Sequence, residues 1–403
     1  MKRRQLSTHY IQSIFRLFAI PPLIVILLAS CSSAPEIELP EGVASLENLQ
    51  VVNTTIDQIP ELNLERVTRY GDTDDIIIGR IGSLAVDSAG RVYISDNSRL
   101  VIHIYDPNGS YLTQIGGEGD GPGEFRRITS IVPLGDFIHV LDRNSLRITR
   151  FHMEDYSFAE NKEIPIGDNI NEKYLPYPTK LSVIDSDHYM IHFGVGMVVN
   201  SASEPMIAGR IMNWTDATLE ENVIYTFPAN DVIIDREGGS QRMMPMDYKR
   251  SSHLVMDNDS QIIYSWSDDL LFKFYDTKGD YQKAVYLPYE KVPLNRNEVL
   301  AEYSDVSEPW ISMIRNDNMP DTWPAFSKMM LDDKGRIWIS LITSDSETYT
   351  WLLINPSTGE ASGRINRDSG KWSAIDVKDG HLFALEVNAE SGLVEVVKYK
   401  IND

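Results

Sequence analysis

The sequence predicts an all-β protein assembled from repeated sheet units, and three observations carry that prediction. Residues 85–95 (AVDSAGRVYIS) align position by position with residues 330–340 (MLDDKGRIWIS), each reading as strand, Asp-bearing turn, strand. Period-two alternation of apolar residues follows the glycine in both copies. A second hairpin recurs as residues 104–111 (IYDPNGSY) and 274–281 (FYDTKGDY), with Gly109 and Gly279 able to take the positive φ that a tight turn requires. Finally, helix patterns do not alternate with the strands, which excludes a parallel βαβ sheet.

Extending the first hairpin along the chain yields six units. Residues 255–265 and 375–385 fit the same frame, and weaker copies centre on Asp136 and Asp187. With anchors at Gly90, Asp136, Asp187, Ser260, Gly335 and Gly380, the units are 45 to 75 residues apart. Three or four short antiparallel strands per unit at this spacing describe a six-bladed β-propeller. The innermost strands then lie near 83–87, 128–132, 180–184, 252–256, 327–331 and 373–377. A ring of sheets leaves open edges unless its last blade is completed from the other terminus. The final unit has three clear strands, so residues 63–69 (NLERVTR) are expected to pair with residues 392–401 as the fourth. Two intervals carry excess chain, residues 200–249 and 289–326. In the second, Asn295 precedes Glu298 and then Val299, Leu300 and Tyr303, the pattern of an N-capped short helix before a loop over 310–324.

The N-terminus reads differently. Lys2, Arg3 and Arg4 precede an apolar run over 17–29, interrupted by Pro21 and Pro22, that is too short to span a bilayer and suits a signal peptide. It ends in Leu28, Ala29, Ser30 and Cys31, the only cysteine of the chain. That ending resembles the bacterial lipobox. The expected organisation is a lipoprotein signal peptide over 1–30, a tether over 31–61 and the propeller over 62–403. Lipidation implied by this resemblance falls on Cys31, and two or three acyl chains would hold the protein durably on a membrane. Because Ser32 and Ser33, rather than Asp, follow the cysteine, the resemblance implies the outer membrane of the cell envelope.

Residues 85–111, with Asp87, Asp96 and the Tyr105-Asp106 hairpin, resemble an NHL-type propeller repeat, and residues 116–125 (GGEGDGPGEF) resemble the connector between such blades. Together with the lipobox and the 324–338 segment, the chain resembles the six-bladed β-propeller lipoproteins of Gram-negative bacteria. That resemblance implies a fold and no particular activity.

Charge narrows the function. The chain has 59 acidic and 37 basic side chains, a net charge of −22, which moves to −26 without residues 1–30. Such a balance argues against nucleic acid as a partner, because phosphate neutralisation needs surplus Lys and Arg. G-x-S-x-G, H-E-x-x-H and nucleotide-loop spacings are absent from the sequence. His188 and His192 are four apart in one strand and could approach a metal. The groups 72–75 (DTDD) and 257–259 (DND) resemble calcium-loop fragments, but Asp and Asn are ordinary turn residues. Asp96 and Asp142 occupy equivalent places after second strands, which favours a structural role in bonding turn N–H groups.

Within the innermost strands, hydroxyls dominate: Ser83, Thr129, Ser130, Ser182, Ser252, Ser327 and Ser373, with carboxylates only at Asp87 and Asp376. A basic residue lies before or at the start of each innermost strand: Arg80, Arg127, Lys180, Arg250, Lys328 and Lys371. Blade symmetry would gather these six around one mouth of the channel. There they would focus an anionic ligand, such as a carboxylate-bearing sugar or an acidic peptide segment; the alternative is that they cover strand ends and pair with nearby carboxylates. The expected function is a lipid-anchored module binding a small molecule, a glycan or an envelope protein, without a required cofactor. The competing expectation is a hydrolase resembling the calcium-dependent propeller lactonases, which hold their metal in the channel.

Overall fold

Aspartate turns build the repeat. In a computed structural model of the chain, the Asp87 carboxylate accepts from the N–H groups of Ala89 and Arg91, both at 2.9 Å, and from Arg91 Nε and Tyr93 Oη. Asp332 repeats the arrangement with Lys334 N, Arg336 N, Arg336 Nε and Trp338 Nε1. Asp257 bonds Asp259 N and Gln261 N, so the calcium-like 257–259 segment is a turn of the same kind. The residue that must turn left-handed is Gly90 (φ +79°), Gly335 (φ +71°) or Gly380 (φ +71°), but Ser260 (φ +62°) in the fourth copy.

The structure describes residues 39–402 apart from 72–75, 167–175, 196–205, 236–241, 346–347, 369–371 and 390. The expected signal peptide over 1–30, Cys31, the 72–75 group and Lys371 therefore lie outside the described residues.

Six four-stranded antiparallel blades follow in order. Their innermost strands are Ile81–Val86, Ile128–Leu134, Pro176–Val183, Ser252–Met256, Phe326–Leu331 and Trp372–Lys378. Blade 6 is closed as expected: Asn63–Tyr70 pairs antiparallel with Val394–Asn402, from Asn63 opposite Asn402 to Tyr70 opposite Val396. Each interface between blades has its own buried cluster, since both faces of a radial sheet pack against neighbours. Blades 1 and 2 meet at Phe125, Ile131 and Val140; blades 3 and 4 at Tyr225, Phe227 and Tyr264; blades 6 and 1 at Tyr70, Phe383 and Ile94. Each such fully buried side chain contributes about 1.5–3 kcal/mol of transfer free energy.

The expected 31–61 tether needs correction. The folded body begins at Leu39 rather than at residue 62. Leu49–Val51 pairs in parallel with Tyr281–Tyr286 and makes blade 4 five-stranded. Pro60 and Leu62 then bond Arg364 on the outer strand of blade 5. Val43, Val52 and Ile59 are buried, so this segment is a strap over the rims of two blades before it enters the sixth. Its apolar residues are too widely spaced to show a period, which is why the sequence reads as linker.

Both long connections fold together. Arg296–Glu302 is a helix whose cap Asn295 accepts from Asn297 N at 3.0 Å, as its sequence predicts. The expected 310–324 loop instead contains a second helix, Trp310–Asn316, which buries Ile311, Met313 and Ile314. These residues join Ile233, Met246, Tyr248 and Val299 in a separate small core beside the hairpin Ile233–Asp235 and Arg242–Met244.

Candidate functional site

In a propeller the blade-to-blade connections and the turns after each second strand open on the mouth where innermost strands begin. Two buried carboxylates shape that mouth. Asp96 accepts from the N–H groups of Gly79 (3.0 Å), Arg80 (3.1 Å) and Ser98 (2.8 Å). Asp142 accepts from Arg126 (2.9 Å), Arg127 (3.0 Å), Asn144 (3.1 Å) and Ser145 (3.2 Å). Burial pushes the Asp96 carboxyl up, but the three N–H groups outweigh it and hold the pKa below the usual range. In blade 4 the same job falls to Ser267, whose hydroxyl accepts from Ser251 N at 2.8 Å.

These clamps fix the backbone of Arg80 and Arg127 while leaving both side chains exposed. Among the described residues, no carboxylate lies within ion-pair distance of either guanidinium. Arg143, which bonds through its N–H to the Arg127 carbonyl at 3.0 Å, adds a third cation on this side of the mouth. Its guanidinium stacks over the exposed ring of Tyr177 at 4.6 Å. The sequence signal for Arg143 was its position after Asp142, matched by Asn97 after Asp96.

Of the other four basic candidates, two lie deeper. Lys180 pairs opposite His192 inside blade 3 and reaches across to the Leu254 carbonyl of blade 4 at 3.4 Å. Lys328 reaches from blade 5 to Ser373 Oγ of blade 6. Both are reached by solvent yet ringed by protein, so desolvation holds their pKa values below the ordinary lysine value. Asp376 lies on the innermost strand of blade 6, opposite blade 3 in the ring. Burial pushes its carboxyl up to about 6, against the Val377 N–H, Lys378 and Lys180, which stabilise the charge, while Asp333 disfavours it.

Arg250 does not join them. It is buried, with Nε on Asp268 at 2.7 Å and its remaining N–H groups on the Thr322 carbonyl (2.7 Å), Thr322 Oγ1 (2.9 Å) and the Tyr248 carbonyl (3.3 Å). It pins the helical insertion to blade 4. A one-residue offset decides this, because Ser251, not Arg250, occupies the place equivalent to Arg80 and Arg127: Asn97 N, Arg143 N and Ser267 N bond Arg80 O, Arg127 O and Ser251 O respectively. The six candidates thus divide into two at the mouth, two within the channel, one in the insertion and Lys371 outside the described residues.

The hydroxyls divide similarly. Ser130 and Ser182 are buried between strands, whereas Ser83, Thr129, Ser252, Ser327 and Ser373 keep partial exposure. Asp87 is buried and used by its turn. The two histidines do not converge either: four residues along a strand separate them by roughly 13 Å. His188 bonds Asp185, while His192 lies buried between Ser182 Oγ at 2.9 Å and Tyr225 Oη at 2.6 Å. Tyr225 reaches it across strand three only because Gly209 has no Cβ; one would sit 2.1 Å from the tyrosine ring. Among the described residues, no group of three His, Cys, Asp or Glu side chains could hold a metal ion. A cleft of about 300 Å³ lies in the insertion, lined by Ile233, Asp235, Ser312, Met313 and Asp317. Asp317 is already bonded there by Tyr248 Oη and Lys249 Nζ.

Comparison with known proteins agrees with the ring. Residues 71–190 match the family DUF5128, described as a 6-bladed beta-propeller. A protein of Bacteroides fragilis NCTC 9343 described as exported superposes with a TM-score of 0.51 at 11% identity, covering 88% of this chain and 99% of its own. A member of the DUF4221 family from Bacteroides vulgatus ATCC 8482 superposes with a TM-score of 0.54 at 10% identity, covering 86% and 100%. No curated protein matches the chain. At these identities the structural likeness establishes the fold alone.

Proposed function

We propose that this six-bladed propeller is a lipid-anchored envelope module that binds an anionic ligand at the mouth where its innermost strands begin. The observation that carries the reading is the pair Arg80 and Arg127: two exposed guanidinium groups, each fixed through its backbone by a buried aspartate, on a strongly acidic chain. Cations anchored at their backbone on an acidic body concentrate an anion locally, because the surrounding negative field steers it to an attractive patch. Arg143 extends that patch towards Tyr177. The lipobox-like ending at Cys31 supports the envelope location.

Calorimetric titration with citrate at low ionic strength tests the binding reading. Wild type is expected to bind, and the double variant Arg80→Ala/Arg127→Ala to bind at least about tenfold more weakly, the scale of one lost charge-assisted hydrogen bond. Equal affinity in the two proteins overturns it. Cys31→Ser is expected to release the protein from the membrane fraction and to abolish fatty-acid labelling; a labelled, membrane-bound variant refutes the anchor.

A further inference from the structure

The chain between blades 3 and 4 and the chain between blades 4 and 5 each run from an outer strand to an innermost one, so the insertion they build stands on the mouth side of the ring. Its cleft of about 300 Å³ has two unlike walls. Ile233, Ile234 and Asp235 all border one wall. Successive side chains of a strand point to opposite faces, so three consecutive residues border one cavity only along the strand's edge. That edge pairs with no third strand among the described residues, and its backbone polar groups front the cleft. The other wall is one helix stripe, Pro309, Ser312, Met313 and Asn316, at positions i, i+3, i+4 and i+7. Asp317 and Asn318 follow at the C-terminal end of that helix and also line the cleft.

Both carboxylates are held in place by the protein itself. Asp317, its side chain nine-tenths buried, accepts from Tyr248 Oη at 3.0 Å and Lys249 Nζ at 2.9 Å. Asp235 accepts from Arg242 Nη1 at 3.2 Å. An ionised carboxylate offers roughly four acceptor positions, so Asp317 keeps capacity towards the cleft. The exposed amides of Asn316 and Asn318 and the hydroxyl of Ser312 both donate and accept. Buried Ile233 and Met313 meet in one apolar cluster and floor the cleft.

Four classes of ligand fit this lining poorly. An anion faces two carboxylates, and among the described residues no basic side chain lines the cleft. A cation meets carboxylates whose charge Arg242 and Lys249 already balance. An apolar molecule strips water from amides and carboxylates without replacing it. An added peptide strand needs about 4.8 Å from the strand edge and further room before the helix, whereas the two walls meet at Ile233 and Met313. A neutral molecule with several hydroxyls on a compact frame meets every group: O–H donors for the carboxylates, oxygens for the amides, and a C–H face for Ile233 and Met313. We infer that the insertion cleft binds a neutral saccharide of one or two rings. The volume, at the lower end of the roughly 300–1,000 Å³ of small-molecule sites, sets that size. This site is separate from the anion-binding mouth and goes beyond that reading.

Saturation-transfer NMR of the full chain with D-glucose, D-galactose, maltose, lactose, D-glucuronate and the uncharged peptide acetyl-tetraserine amide tests it. At least one neutral sugar is expected to bind, and Asn316→Ala/Asn318→Ala to weaken it by about tenfold, the scale of two lost neutral hydrogen bonds. Both amides are exposed, so this variant should melt as wild type does and keep its citrate affinity at the mouth. Ser312→Trp, which fills the cleft from the helix, is expected to abolish sugar binding. If no neutral sugar binds, or if both variants bind it as wild type does, the inference is overturned, and citrate binding decides the mouth reading independently. Glucuronate responding to the variants while neutral sugars do not also overturns it, by showing that the cleft takes an anion. Peptide binding that Ser312→Trp abolishes, with no sugar bound, replaces it with docking along the strand edge.

Discussion

Asp96→Ala is the sharpest probe of how the mouth is built. The carboxylate is fully buried and accepts from three backbone N–H groups, on Gly79, Arg80 and Ser98, at 2.8–3.1 Å. Alanine leaves these donors facing a void that only water could fill. A hydrogen bond to a charged acceptor contributes about 1.5–3 kcal/mol, and partial rehydration recovers some of that, so the loss should be roughly 3–4 kcal/mol. The carboxyl's depressed pKa gives the same site a pH signature. A group depressed on folding adds stability above its unfolded pKa near 3.9 and loses it as pH falls through the folded value. Wild type should therefore lose this increment only in strong acid, whereas the alanine variant has none to lose. Urea unfolding of both proteins measures the difference, and hydrogen exchange over residues 76–84 should show protection lost at Arg80. A change under about 1 kcal/mol with protection retained would refute the clamp and, with it, the claim that the Arg80 backbone is fixed by Asp96.

Three other outcomes follow from the same structure. Removing residues 1–61 uncovers the edges of blades 4 and 5 and deletes three buried apolar side chains, so guanidinium unfolding should register a loss of up to about 4–6 kcal/mol; an unchanged midpoint would mean the strap is ornamental. Ser260→Gly relieves the left-handed strain borne by the fourth turn and should stabilise by about 1 kcal/mol, whereas a destabilised variant would show that the serine side chain contributes there. Burial holds His139 and His253 at about 4 and His192 at about 3, so each contributes stability above its unfolded pKa near 6.5 that is lost as pH falls towards 3–4. Asp376, raised to about 6, works the other way below that pH. Urea midpoints should accordingly fall between pH 7 and pH 5, and a flat profile would contradict the burial of these three rings.

Asp87, Asp257 and Asp332 were legible as turns because each acts within a few residues of itself, through N–H groups two and four positions on. The same locality made the Asn295 cap visible. The fourth strand of blade 6 was legible for a different reason: closure is a property of any ring of sheets, and one segment was left to supply it. Trp310–Asn316 was hidden because Pro309, Asn316 and Pro320 frame it with loop chemistry, while its helical apolar face makes sense only against Ile233 and Tyr248 from another connection. The strap was hidden because three residues of parallel pairing leave no periodic trace.

The basic residues mark the boundary most clearly. Sequence by itself determined that a cation stands near the start of each innermost strand, since repeat spacing is a one-dimensional quantity. It could not determine which way each one points. A shift of one position carried Arg250 into the insertion, and two or three residues of depth carried Lys180 and Lys328 away from the mouth, to the Leu254 carbonyl and to Ser373. Alternation along a strand is set by neighbours, but the environment each side chain enters is set by five other blades. Only the closed ring brings Lys180 to Leu254 and Lys328 to Ser373 of the next blade, and those contacts exist nowhere along the chain before that closure.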